Sequence, residues 1–200
     1  MIGRAQSRET AIMILVRHGQ SEFNVHYGRT RRDPGIRDPA LTADGRAQAR
    51  AASASLATLE LQRLITSPYR RALETAEIIA SALGVPVDID PTVGERVAFS
   101  CDLGSHPVEL ARRWPDWSFD HLPAQWWPDH EEPEAGLAAR CSRFRAVTDD
   151  LADRERVAIV THWGFIRALT GLTVANAAIV RFRARPLPSA ELVRHVVPQG

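Results

Sequence analysis

Ala11-Ile12-Met13-Ile14-Leu15-Val16-Arg17-His18-Gly19 is an apolar run that stops abruptly on an arginine, a histidine and a glycine. The run is rich in β-branched residues and has no polar alternation. It predicts a strand buried on both faces, as in a parallel sheet. A second such run, 157–160, ends the same way, on Thr161-His162-Trp163-Gly164. Between them, 64–66 and 85–89 read as two further strands. The segments separating the strands carry helical signals. Thr42 is a good N-cap for an Ala-rich stretch over 43–59. Ser67-Pro68 opens a helix that runs to Leu83 and closes on Gly84. Shorter helices are predicted over 107–114 and 164–171. A longer one over 134–151 has Leu137, Cys141, Phe144, Val147 and Leu151 as its apolar stripe. Residues 24–41 read as a long loop, and Met1 to Thr10 as a frayed polar tail. Segments 178–183 and 190–197 read as a final hairpin around Pro186-Leu187-Pro188. Strands alternating with helices predict an α/β sandwich on a mostly parallel sheet. An irregular, Trp-rich insertion near 96–135 interrupts it.

Composition sets the outer bounds. The 200 residues suit one domain, 1–200. An apolar content of 44% with a net charge of +1 gives a globular composition and excludes a disordered chain. No apolar run approaches the roughly 20 residues of a spanning helix, so no membrane association is expected. The first run lies too deep and is too short for a signal peptide, which favours the cytoplasm. The near-neutral charge argues against nucleic acid as a partner. All 25 basic residues are arginine. A GC-rich genome accounts for that, and so does phosphate recognition by the two-pronged guanidinium. Cys101 and Cys141 lack metal or redox spacing.

In open α/β sheets, ligands bind beyond the carboxyl ends of the strands. The residues met there are Arg17, His18 and Gly19; then Ser67 and the pair Arg70-Arg71; then His162 and Gly164. Two histidines and two or more arginines at one sheet edge suit a phosphoryl group. Arginines bind it bidentately, and helix N-termini add N–H donors. One histidine can attack phosphorus and the other can stabilise developing charge.

Five segments in order give this reading a family. Leu15-Val16-Arg17-His18-Gly19-Gln20-Ser21-Glu22-Phe23-Asn24 resembles the RHG signature of the histidine phosphatase superfamily, the phosphoglycerate mutase-like proteins. Asp38-Pro39-Ala40-Leu41-Thr42-Ala43-Asp44-Gly45 resembles its D-x-x-L-T-x-x-G segment. Ser67-Pro68-Tyr69-Arg70-Arg71-Ala72-Leu73-Glu74-Thr75-Ala76 resembles its S-P-x-x-R-A-x-x-T-A helix start. Glu95 follows the third strand, where the family has an acid. Val160-Thr161-His162-Trp163-Gly164-Phe165-Ile166-Arg167 resembles the second-histidine motif, with Trp163 where a small residue is usual. The resemblance implies a three-layer α/β/α fold and no metal or other cofactor. It also implies roles. His18 is the nucleophile, and Arg17, Arg71 and Asn24 bind the phosphoryl group. His162 completes that pocket, and Glu95 protonates the leaving oxygen. Asp102 is a rival for the acid. A carboxylate beside several arginines is expected to have a lowered pKa until a phosphate dianion binds.

The remaining features have two readings each. Trp114, Trp117, Trp126 and Trp127, with Phe119, form either a small satellite core or a lid over the substrate. Arg29, Arg31, Arg32 and Arg37 are a solvated face or a steering patch for an anion. Glu131, Glu132 and Glu134 read as a solvated helix start. The expected activity is hydrolysis of a phosphorylated small molecule through phosphohistidine. Phosphoglycerate mutase-type transfer is the first alternative, and a phospho-ligand binding module the second.

Overall fold

The computed structural model describes residues 12–149, 151–183 and 189–194. Its centre is a six-stranded sheet in the order β3-β2-β4-β1-β5-β6. The strands are β1 (Ile12–Arg17), β2 (Arg63–Thr66), β3 (Val87–Ile89), β4 (Val157–Thr161), β5 (Ile179–Arg183) and β6 (Ser189–Arg194). The first four run parallel, and β5 and β6 add an antiparallel hairpin. The proline-rich turn expected in that hairpin lies outside the described residues, as do its last residues and the N-terminal tail.

The apolar runs read from sequence are strands covered on both faces. On β1, Met13 and Leu15 face one core, and Ile14 and Val16 face the other; β4 alternates likewise. One core is closed by α2 (Ala43–Leu56) and α3 (Arg70–Leu83), through Ala52, Leu56, Ala72, Ala76 and Ile79. The other is closed by α5 (Glu134–Asp149) and α6 (Trp163–Thr170), through Leu137, Cys141, Phe144, Phe165, Ile166 and Leu169. Two helical layers around a twisted sheet make the expected three-layer sandwich.

Several local expectations change. The first half of the predicted 24–41 loop is helix α1 (Glu22–Thr30). Ser21 and Asn24 form a capping box there, and only Phe23 is buried, so no apolar period betrays the helix. Pro68 lies before α3, whose N-cap is Tyr69, rather than in its first turn. Gly84 closes α3 at φ 68°, the left-handed conformation expected of it. On α5 the buried stripe passes through Thr148, while Val147 is 66% exposed and Leu151 lies beyond the helix. At about 100° per residue, Cys141, Phe144 and Thr148 fall within about 40° of Leu137, whereas Val147 falls about 80° away. α4 (Pro107–Arg113) forms within the irregular insertion. Leu110, Trp114, Phe119 and Leu122 pack there with Leu73 and Ile89 as a satellite core.

Candidate active site

The carboxyl ends of β2, β4 and β1 lie side by side, because Thr66 pairs with Val160 and Arg17 with Thr161. The next residues along each strand are therefore neighbours: Ser67, His162 and His18. The His18 and His162 rings are 5.1 Å apart between centroids. Two glycine backbones make room for the turn after β1. A Cβ on Gly19 would sit 2.4 Å from the Gly45 carbonyl oxygen, and one on Gly45 would sit 2.0 Å from that of Gln20. The Gly19 amide donates to Thr75 Oγ1 on α3, at 3.1 Å.

His18 is held in one orientation. Its Nδ1 lies 2.7 Å from the Gly19 carbonyl oxygen. A carbonyl only accepts, so Nδ1 carries the proton and Nε2 carries the lone pair. Burial, then the charges of Arg71 and Arg17, hold the His18 pKa well below the usual 6.5. His162 is also fully buried and depressed, first by burial and then by Arg71. Its Nε2 is 2.8 Å from Ser67 Oγ, and its Nδ1 is buried without a partner among the described residues. Arg17 donates to the Val174 carbonyl at 2.7 Å, leaving its Nε buried and unpaired among the described residues. Burial is the main cause that lowers its pKa to about 10.

Arg71 is buried and donates to the Cys101 carbonyl (2.7 Å) and to Asp102 Oδ1 (2.9 Å). Arg70 points elsewhere: it pairs with Glu74, which also holds Arg46 and Arg113. The two carboxylates considered as the acid differ sharply. Asp102 is spent on Arg71 and on the amides of Ala98 and Phe99, both at 3.1 Å. Glu95 accepts from the Arg96 amide (2.9 Å) and from the Gly164 amide (2.9 and 3.2 Å). Gly164 lies in the first turn of α6, so Glu95 caps that helix. The expectation of a lowered Glu95 pKa is corrected here. Burial and the neighbouring Asp102 charge raise it, against Arg71 and the two amides. Desolvation of the carboxylate outweighs one ion-paired arginine.

Arg17, His18, Asn24, Arg71, Glu95 and Asp102 line one cavity of about 480 Å³. His162 is not among the lining residues; its ring lies 5.1 Å from that of His18, which is. The outer wall is apolar: Phe23, Tyr27, Phe99 and Trp163. The insertion's tryptophans are absent from that lining. Trp114 is buried in the satellite core, and Trp126 packs on Tyr69 and Trp127, so the lid reading fails for them. Of the basic loop, Arg31 alone reaches the cavity. Glu132 is not solvated, because its carboxylate pairs with Arg140.

The profile of the histidine phosphatase superfamily (branch 1) matches residues 13–199. The chain belongs to the histidine phosphatase superfamily. It is 32% identical, over 184 residues, to glucosyl-3-phosphoglycerate phosphatase of Mycolicibacterium vanbaalenii, covering 82% of this chain and 76% of that one. It is 40% identical to probable phosphoglycerate mutase GpmB of an Enterobacter species, over 81 residues that span 40% of this chain and 36% of the relative. Among solved structures it resembles mycobacterial glucosyl-3-phosphoglycerate phosphatase complexed with VO3, with TM-score 0.63 and 23% identity. That likeness covers 93% of this chain and 99% of the other, and it is one of fold.

The site of this histidine phosphatase also contains residues that the sequence pattern did not single out for a role. Ser67 was visible at the end of β2, but its bond to His162 needed the register of β2 on β4. Asn176 donates to the His18 carbonyl (3.3 Å) and to Asn24 Oδ1 (3.0 Å), from an irregular segment without any pattern. Gly164 has a local reason: a Cβ there would lie 2.3 Å from Glu95 Oε1.

Proposed function

We propose that the chain hydrolyses phosphomonoesters through a phosphohistidine on His18 Nε2. The observation that carries this reading is the His18–Gly19 bond, which leaves Nε2 unprotonated inside a cavity holding Arg17, Arg71 and Glu95. Nε2 attacks phosphorus as the P–O bond to the leaving group breaks. Glu95, whose raised pKa favours its acid form, gives the leaving oxygen its proton. Glu95 then takes a proton from water, which attacks the phosphohistidine; the P–N bond breaks and neutral His18 returns. Arg17 and Arg71 hold the phosphoryl oxygens. Ser67 Oγ accepts from the Tyr69 amide (3.3 Å) and lies 2.8 Å from His162 Nε2, where its own proton can be given to that nitrogen. In that tautomer His162 Nδ1 keeps a proton for a phosphoryl oxygen of the group held on His18, whose ring is 5.1 Å away. The bonds to Asn24 fall on its Oδ1, which leaves its amide hydrogens for the same oxygens.

The test is phosphate release from a panel of phosphomonoesters, with EDTA present, by wild type and His18→Ala. The panel includes 3-phosphoglycerate and its glycosides, given the phosphatase relatives. Release in wild type and loss in the variant is expected. Release that survives His18→Ala overturns the nucleophile assignment. The partial likeness to a probable mutase is answered in the same tube: conversion of 3-phosphoglycerate to 2-phosphoglycerate without free phosphate identifies a transferase.

A further inference from the structure

Beyond the phosphate end, the cavity has a composition of its own. Phe23, Tyr27 and Phe99 lie 5.1 to 5.5 Å apart between ring centroids and all face it. Trp163 lines the same space from the first turn of α6. Phe99 is 38% exposed, one of three large apolar side chains so exposed among the described residues. It is not loosely hung. Its amide and that of Ala98 are held by Asp102, which also pairs with Arg71. The carboxylate that pairs with Arg71 thus also holds the backbone that carries the Phe99 ring. At the rim, the Arg31 guanidinium lies 5.8 Å from the Tyr27 ring centroid and makes no carboxylate pair among the described residues.

Two polar groups of the outer cavity are already engaged, and the three rings make up most of the remaining wall. Ser21 is bonded to Asn24, and Arg96 to Glu131 and to the Glu132 carbonyl. A polyol seated against the three rings would lose water to aromatic carbon there, and each unmet hydroxyl costs affinity. An aromatic ring has the opposite needs. It gains from edge and face contacts with fixed rings, and from a cation above its face. About 480 Å³ holds such a group beside a phosphate.

We infer that the alcohol released by this site carries an aromatic ring, seated against Phe23, Tyr27 and Phe99, with Arg31 lining the same space. The inference rests on the hydrolase reading above and adds the leaving-group class. Ethyl, 2-cyclohexylethyl and 2-phenylethyl phosphate test it, because their alcohols differ little in acidity. A kcat/KM for 2-phenylethyl phosphate about tenfold above the other two is expected. Phe99→Ala and Tyr27→Ala are expected to bring that ratio toward one. Equal kcat/KM for all three esters overturns the aromatic assignment and leaves the hydrolase intact. A preference for cyclohexylethyl equal to that for phenylethyl, or a phenylethyl preference that survives both variants, also overturns it. No release from any ester, here and in the broad panel, overturns the hydrolase reading itself.

Discussion

Gly164→Ala perturbs the proton donor without touching the donor's own side chain. The added Cβ would stand 2.3 Å from Glu95 Oε1, about 1 Å short of the 3.4 Å at which ordinary contact begins. Glu95 must move by that much, and its bonds to the Gly164 amide at 2.9 and 3.2 Å must stretch or break. A misplacement of about 1 Å in a catalytic group costs on the order of 100-fold in rate. The loss falls on proton transfer to the leaving oxygen. kcat/KM for an alkyl phosphate is therefore expected to drop about 100-fold. p-Nitrophenyl phosphate, whose leaving group needs little protonation, is expected to drop far less. Because kcat/KM reports steps through the first irreversible one, the contrast isolates transfer to His18. Competitive inhibition by inorganic phosphate is expected to stay near the wild-type value, since Arg17, Arg71 and His18 are not displaced. An equal loss on both esters, or wild-type kcat/KM on the alkyl ester, would refute the assignment of Glu95 as acid.

Glu95→Gln keeps an acceptor for the two amides but carries no transferable proton, so kcat/KM on alkyl phosphates is expected to fall about 10²-fold to 10⁴-fold. Asp102→Asn is expected to act mainly on KM, by loosening Arg71; an equal collapse of kcat in both variants would return Asp102 to the role of acid. Stability is expected to fall as pH drops below about 6.5. His18 and His162 titrate well below that value when folded, so the unfolded chain binds more protons there. Each contributes up to about 1.4 kcal/mol per pH unit, and the raised Glu95 acts in the opposite sense. Urea unfolding at pH 7 and 5.5 checks this, with a shallower slope expected in His18→Gln and an unchanged slope counting against it. On α5, Phe144→Ala is expected to cost roughly 3–5 kcal/mol and Val147→Asp less than about 0.5 kcal/mol. Comparable losses would mean the stripe turns the other way. Glu74→Ala is expected to cost roughly 2 kcal/mol, because its three arginines are 33–47% exposed and can rehydrate.

The layers of the fold were legible because β1 and β4 carry apolar runs, and because α2 starts at Thr42 and α3 stops at Gly84, whose capping chemistry is local. α1 was hidden for the complementary reason. A helix that buries only Phe23 leaves no period to read. The stripe on α5 was misplaced because Val147 and Thr148 compete for the same turn, and apolarity favours the wrong one. At the site, residues directly after strands were visible by position. Asn176 and the Phe23–Tyr27–Phe99 wall were not, since they meet only after the chain folds. The sign of the Glu95 shift was beyond sequence altogether. Counting nearby arginines predicts depression, but Arg71 is already neutralised by Asp102 and the remaining effect is burial.

That cancellation bears on what the cavity is built to accept. Arg71 carries its own counter-ion, so it contributes geometry more than net charge. Arg17 does not: its bond partner is the neutral Val174 carbonyl, and burial drags its pKa to about 10. The two histidines stay neutral, which spares the site further positive charge while keeping a lone pair on His18. The site therefore holds one poorly solvated cation, Arg17, whose Nε donor has no partner among the described residues. A neutral acceptor would satisfy the donor but not the charge. A phosphoryl dianion relieves both, and its charge also raises the proton affinity of the adjacent Glu95. Binding the substrate and arming the acid are, on this argument, one electrostatic event.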